Sequence, residues 1–134
     1  MNGKRGMDPD YLVTERVIGC VIRVHRTLGP GFLENVYRRA LLIEFRKHDL
    51  RTAVEKEVVI YYDDLEVGRH RLDFLVEGSV IVEVKAAEGL CEAHYAQVRS
   101  YLKATRLRLA LLVNFGTEWA DFRRIERKPS SGGG

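Results

Sequence analysis

Cysteine is scarce in this chain. Cys20 and Cys91 are the only two among 134 residues. Two thiols so far apart make no disulfide framework, and they cannot supply the four thiolates of an iron–sulfur cluster. Both read as small, partly buried, reduced side chains. Long apolar runs are also missing. None approaches the roughly 20 residues that span a bilayer, so a helical membrane protein is excluded. The basic start, residues 1–10, has no apolar stretch of signal-peptide type behind it, which makes a cytoplasmic location the expectation. Neither sign of charge dominates: 22 basic residues stand against 19 acidic ones. Such a balance permits nucleic-acid binding without demanding it. Internal repeats and interior linkers are absent too. Residues 1–10 and 128–134 read as flexible tails, leaving one domain over residues 11–127. That length is enough for one core and too little for two.

What is present is clear periodicity. Val17, Ile18, Val21, Ile22, His25 and Leu28 fall at helical spacing, so an amphipathic helix is predicted over residues 11–28. Gly29-Pro30-Gly31 breaks it. A second helix is predicted over about 33–48, with Val36, Tyr37, Ala40, Leu41, Ile43 and Phe45 as its apolar set. Residues 53–62 are rich in β-branched and aromatic side chains and read as a strand, and Asp63-Asp64 as a turn. Two further strands follow at 66–76 and 80–86. Helical spacing returns at 91–104, and an apolar strand follows at 107–114. Residues 119–126 read either as a short edge strand or as an irregular end. The order α-α-β-β-β-α-β(-β) implies an α/β (α+β) domain with a mixed central sheet flanked by helices.

The informative segment is the hairpin 71–85. Leu72, Phe74 and Val76 alternate on one strand, and Val80, Val82 and Val84 on the next. If both sets share the core face, even positions must pair with even ones, because a one-residue slip reverses a strand's faces. The three-residue loop Glu77-Gly78-Ser79 satisfies this by pairing Val76 with Val80. Leu75 then faces Ile81, Asp73 faces Glu83, and Arg71 faces Lys85. A two-residue Gly78-Ser79 turn is the competing choice; it would set Asp73 against Val84, on the wrong face.

The chosen register places two carboxylates side by side, roughly 5 Å apart at Cβ, inside an apolar hairpin. Like charges there are costly unless something neutralises them. A divalent cation with oxygen ligands is one resolution. A salt-bridge cluster with Arg71 and Lys85 is the other. Lys85 shares a strand face with Glu83, where an amine can hold a water or support charge building on a phosphate.

Other candidates are weaker on their own. His94, Gln97 and Tyr101 form one stripe of the third helix. Their bland readings are a first-turn histidine bonded locally, a solvated glutamine and a core aromatic. Glu34 opens the second helix, where the helix dipole by itself favours a carboxylate, and Tyr37 one turn on reads as core. Arg38, Arg39, Arg99, Lys103, Arg106 and Arg108 are candidate phosphate contacts, although each taken singly reads as a solvated surface charge.

Together these residues resemble a known family. Gly31-Phe32-Leu33-Glu34-Asn35-Val36-Tyr37 is similar to the signature of the GxxExxY proteins, small domains of the PD-(D/E)XK nuclease superfamily. The resemblance continues through Arg71-Leu72-Asp73, Ile81-Val82-Glu83-Val84-Lys85-Ala86, His94-Tyr95-Ala96-Gln97 and Tyr101-Leu102-Lys103-Ala104-Thr105, and ends at Leu112-Val113-Asn114-Phe115-Gly116. One departure is Leu72, where the superfamily name expects proline. The resemblance implies a restriction-endonuclease-like core. It implies that Asp73 and Glu83 bind Mg²⁺ or Mn²⁺, that Lys85 assists the attacking water, and that Glu34 completes the metal site. Gln97 and Tyr101 reproduce the QxxxY pattern of RecB-like nucleases, whose residues orient the site and the phosphate. The Val84 backbone carbonyl, between Glu83 and Lys85, is a further expected ligand.

The reaction so implied is phosphodiester hydrolysis, with DNA expected over RNA as substrate. A chain this short has no room for a separate recognition domain. A homodimer or a partner would supply reach, and antiparallel duplex strands suit a two-fold pair. Two rivals stand beside this reading: a catalytically silent nucleic-acid-binding or scaffold protein on the same fold, and a purely structural charge cluster in a partner-binding protein.

Overall fold

The computed structural model describes residues 8–128. Its elements are α1 (Pro9–Leu28), α2 (Glu34–Lys47), β1 (Thr52–Tyr62), β2 (Leu65–Val76), β3 (Val80–Lys85), α3 (Glu92–Thr105), β4 (Leu109–Asn114) and β5 (Asp121–Glu126). The strands form one mixed sheet in the order β1-β2-β3-β4-β5. Only β3 and β4 are parallel, joined by the crossover through α3; the other neighbours are antiparallel. The C-terminal segment left open between strand and irregular end is therefore the edge strand β5. Among the described residues no helix is long and apolar enough to cross a membrane.

The first helix begins earlier than its periodicity implies. Asp8 caps it by accepting from the Asp10 N–H at 2.9 Å, and Pro9 occupies the first turn, where its missing N–H costs nothing. Asp8 and Asp10 also pair with Arg108. The assignment of residues 8–10 to a tail is corrected accordingly. Residues 1–7 and 129–134 of the expected tails lie outside the described residues.

Two apolar clusters sit on opposite faces of the sheet. On one, α1 and α2 cover Phe74, Val76, Val80, Val82, Val84, Leu111 and Val113. On the other, Val98, Tyr101 and Leu102 of α3 cover Leu72, Ile81, Ala110 and Leu112. Covered on both faces, the parallel pair β3 and β4 is buried almost throughout, which is why both read as near-continuous apolar runs.

The turns obey local rules. Tyr62 pairs with Leu65 across Asp63 and Asp64, both at positive φ, as a two-residue hairpin turn requires. Val76 pairs with Val80, Leu75 with Ile81 and Phe74 with Val82, so the three-residue loop and its register are as the alternation predicts. Leu72 is the exception. It packs with the α3 cluster instead of beside Phe74, so the pleat reverses between the two residues, at Asp73. Across the sheet Glu55 takes φ 53°, and the ladder lacks a Glu55–Asp73 pair between Val54/Phe74 and Lys56/Leu72.

Past their parallel pairing, β3 and β4 stay joined. The Phe115 N–H donates to the Lys85 carbonyl at 2.9 Å. Buried Asn114 then clasps the loop beyond β3: its Oδ1 accepts from the Ala87 and Gly116 N–H groups, and its Nδ2 donates to the Ala87 carbonyl. Gly116 lies so close that a Cβ there would stand 2.2 Å from the Ala87 carbonyl oxygen. A Gly116→Ala variant should lose roughly 1–3 kcal/mol of stability through this overpacking. Urea unfolding reads the loss directly, and a change under about 0.5 kcal/mol would mean that the two loops are not held together.

Candidate active site

At Asp73 and Glu83 the β2–β3 ladder gives way to side chains. The recorded pairing stops at Phe74 and Val82. Beyond it Glu83 Oε1 accepts from the Asp73 N–H at 3.0 Å, and Asp73 Oδ2 accepts from the Val84 N–H at 2.8 Å. Each carboxylate thus satisfies a backbone donor of the other strand. This crossed exchange holds the acids together where the strands part, as the register predicts, although it replaces the regular pair expected there.

Glu83 is 3% exposed. Burial, then the Asp73 carboxylate, push its pKa up to about 9; the Asp73 N–H and Lys85 oppose the shift. Of the two cations expected of a salt-bridge cluster, only Lys85 acts on the acids. Arg71 lies across from Glu57 in the β1–β2 ladder and pairs with neither acid among the described residues. Arg38 of α2 instead pairs with Glu34 one turn before it and reaches Asp73 Oδ1 at 3.6 Å. Glu34 is therefore connected to Asp73 through a guanidinium.

The other side of the site comes from α3. Lys85 Nζ donates to Gln97 Oε1 at 3.0 Å, which ties the amine to α3. Tyr101, one turn further, is buried, and burial followed by Glu83 and Asp73 raises its phenol to about 12. Its ring centroid lies 5.2 Å from that of His70. His94 stays local: its Nδ1 accepts from the Cys91 N–H at 3.1 Å, closing the first turn of α3. Asp73, Glu83, Lys85, Gln97, Tyr101 and, through Arg38, Glu34 thus converge on one region. Tyr37 is core, stacked on Phe115 with centroids 4.6 Å apart and donating to the Gly29 carbonyl.

Three residues at or beside the site were given no such place by sequence reasoning. Arg38 appeared only as a candidate phosphate contact. His70 shares the α3 face because the pleat reverses at Asp73, which alternation does not register. Asn114 carries no chemistry and acts by tethering the loop behind Lys85. Among the other basic candidates, Arg99 pairs with Glu92 and Arg108 with Asp8 and Asp10. The cysteines are free as expected, but Cys91 is exposed.

This constellation sits inside a match that covers nearly the whole sequence: residues 11–127 match the PD-(D/E)XK nuclease superfamily. The chain belongs to that superfamily. A search of curated protein sequences gave no match. Among solved structures the crystal structure of SSO0001 is similar, with 17% identity and a TM-score of 0.56 over 73% of this chain and 52% of that one. This chain thus spans about half the length of SSO0001, and the likeness is one of fold. An alkaline exonuclease, LHK-Exo from Laribacter hongkongensis, aligns over 86% of this chain and 82% of its own at 11% identity and a TM-score of 0.40.

PD-(D/E)XK nucleases generally use divalent metal ions, and the donor set is compatible with one. Asp73 and Glu83 form an acidic pair with one member buried, the kind of environment in which a hard cation relieves repulsion. Among the described residues no group of three or more His, Cys, Asp or Glu side chains is disposed around a metal position. Glu34 in particular is engaged by Arg38.

The raised Glu83 pKa fixes a sign. A carboxyl whose folded pKa exceeds its unfolded value binds more protons when folded, so its contribution to stability is full below about 4.5 and is lost as pH rises toward 9. In chelator, the melting temperature should fall between pH 5 and 8, and Glu83→Gln should flatten that dependence relative to wild type. Parallel melting curves for the two proteins would show that Glu83 is not the group responsible.

Proposed function

We propose that this chain is a metal-dependent nuclease that hydrolyses phosphodiester bonds in DNA. The observation that carries the reading is the crossed Asp73–Glu83 pair with the Lys85 amine on the next same-face position of β3. Superfamily membership supplies the reaction class. The finer assignments are our own: DNA over RNA, Mg²⁺ or Mn²⁺, and the role of each side chain.

Asp73, Glu83 and the Val84 carbonyl would hold the cation, and Glu34 would join them once its pairing with Arg38 opens. A bound divalent ion supplies charge stabilisation at the scissile phosphate and acidifies a water molecule. The chain's own groups do the rest. Backbone N–H donors hold Asp73 and Glu83 in place, so the acids are ordered before any ligand arrives. Gln97 keeps Lys85 extended, ready to orient a water or to meet the charge that builds on the phosphate. Tyr101, with its phenol kept neutral, presents a hydroxyl donor without adding negative charge near the acids. Arg38, on the α2 side, is placed to turn from Asp73 to a phosphate oxygen. The Gly31–Tyr37 segment, similar to the GxxExxY signature, places Glu34 at the start of α2, one turn before Arg38.

One observation favours the catalytically silent alternative: Arg38 already gives Glu34 and Asp73 a positive partner, so that half of the site is balanced without metal. Glu83 has no such guanidinium, and its elevated pKa marks what is still unmet. Calorimetric titration with Mn²⁺ distinguishes the two. Binding that vanishes in Asp73→Ala and Glu83→Ala supports the enzyme; no heat at millimolar metal supports the scaffold.

Activity is tested with labelled single-stranded, duplex and flapped DNA, and with RNA, in Mg²⁺ or Mn²⁺. Lys85→Ala should cut roughly a hundredfold or more slowly than wild type. Equal cutting by the variant would assign the activity to a contaminant.

A further inference from the structure

The site described so far lies on one flank of α3; the other flank holds a second concentration of charge. Arg99, Lys103 and Arg106 of α3 meet Arg127 and Lys128, just past β5, around a cleft of about 650 Å³. All five lining residues are cationic and no acid lines it. The two segments are brought together by the fold. β5 ends beside the start of β4, where the Arg127 N–H donates to the Arg108 carbonyl at 2.8 Å. On the helix, Arg99, Lys103 and Arg106 lie about a third to half a turn around from Gln97, and Arg106 is roughly 13 Å further along the axis. The cleft is therefore separate from the acids.

Three features set it apart from an ordinary solvated face. Elsewhere more than half of the described arginines are in ion pairs: Arg23, Arg38, Arg51, Arg69, Arg108, Arg123 and Arg124. In the cleft only Arg99 is paired, with Glu92, among the described residues. Second, a helix C-terminus favours a cation through its dipole, which accounts for Lys103 but not for Arg127 and Lys128 on a different element. Third, Arg106 occupies the helix C-cap at φ 61°, a conformation that glycine adopts without penalty and other residues do not. The residue at this cap is an arginine where glycine would fit without strain.

We infer that this cleft binds the sugar–phosphate backbone of a nucleic acid, away from the bond to be cut. The ligand must be polyanionic, with charges spaced to meet several cations at once; the choice of nucleic acid over another polyanion rests on the nuclease reading. Long guanidinium and ammonium side chains, exposed and unpaired among the described residues except at Arg99, suit backbone contact without base recognition. The cleft thereby supplies a grip on the strand apart from the acids.

The test measures binding without cleavage. Fluorescence anisotropy of a labelled 20-nucleotide single strand, and of its duplex, is followed in EDTA from 50 to 300 mM salt. Wild type should bind with a salt dependence typical of several phosphate contacts. Lys103→Ala combined with Arg127→Ala should weaken binding roughly tenfold or more at low salt and lower the salt slope by about one per charge removed. Arg106→Gly guards against misfolding. It removes a charge while giving the backbone its preferred residue, so its melting temperature should not fall, yet its binding should weaken. Unchanged affinity and slope in these variants, no binding by wild type, or preference for an acidic peptide over both oligonucleotides would each overturn the inference. The two readings fail separately. Cleavage by wild type with normal binding by the cleft variants removes this site alone, whereas cleft-dependent binding without any cleavage leaves it standing and removes the nuclease.

Discussion

Everything near the site depends on the reciprocal bonding of Asp73 and Glu83. Two antiparallel strands ordinarily satisfy their N–H groups with carbonyls. Here two of those donors, on Asp73 and Val84, are met by carboxylate oxygens from the opposite strand. The two bonds hold the acids adjacent, and Glu83, its pKa raised to about 9, adds no second negative charge beside Asp73 at neutral pH. The same exchange parts the strands, reverses the pleat of β2 and turns His70 and Leu72 toward α3. Local backbone irregularity and acid placement are one event.

The surrounding architecture makes that event useful. Because β3 is buried on both faces, Glu83 is held in an apolar environment that water does not fully screen, and its affinity for a proton or cation rises accordingly. The two helical layers approach the parting strands from opposite sides. From α2 come Glu34 and Arg38; from α3 come Gln97 and Tyr101. A site assembled from three layers gathers different chemistry from each, with acids on strands, an amine beside them, and aromatic and amide groups on a helix.

Much of this was legible in the sequence, for a definite reason. Alternation in residues 72–76 and 80–84 has only one in-phase register, so the Val76–Val80 loop and the Asp73–Glu83 adjacency followed from apolar spacing alone. Helix boundaries were close wherever Gly29-Pro30-Gly31 or a loss of periodicity marked them. What was not legible depends on contacts between remote segments or on local backbone departures. Leu72 was assigned to the wrong face because an even spacing cannot announce that a strand reverses its pleat. Arg71 was offered as the partner of the acids because it is near in sequence, while Arg38, from another layer, is near in space. Asp8 and Asp10 looked like a tail because their partner Arg108 lies at the far end of the chain.

The Asn114 clasp divides the segment between β3 and α3 into two unequal parts. Ala87 is tied at both its N–H and its carbonyl, and Gly116 blocks any outward shift of that backbone. Glu88 and Gly89, directly beyond, are exposed. Length variation is tolerated where backbone is neither buried nor bonded, so extra residues can enter at Glu88-Gly89 without disturbing the strand that carries Glu83 and Lys85. The boundary between tethered strand and untethered loop falls at a single peptide, and new surface can be grafted beside the acids while their spacing stays as it is.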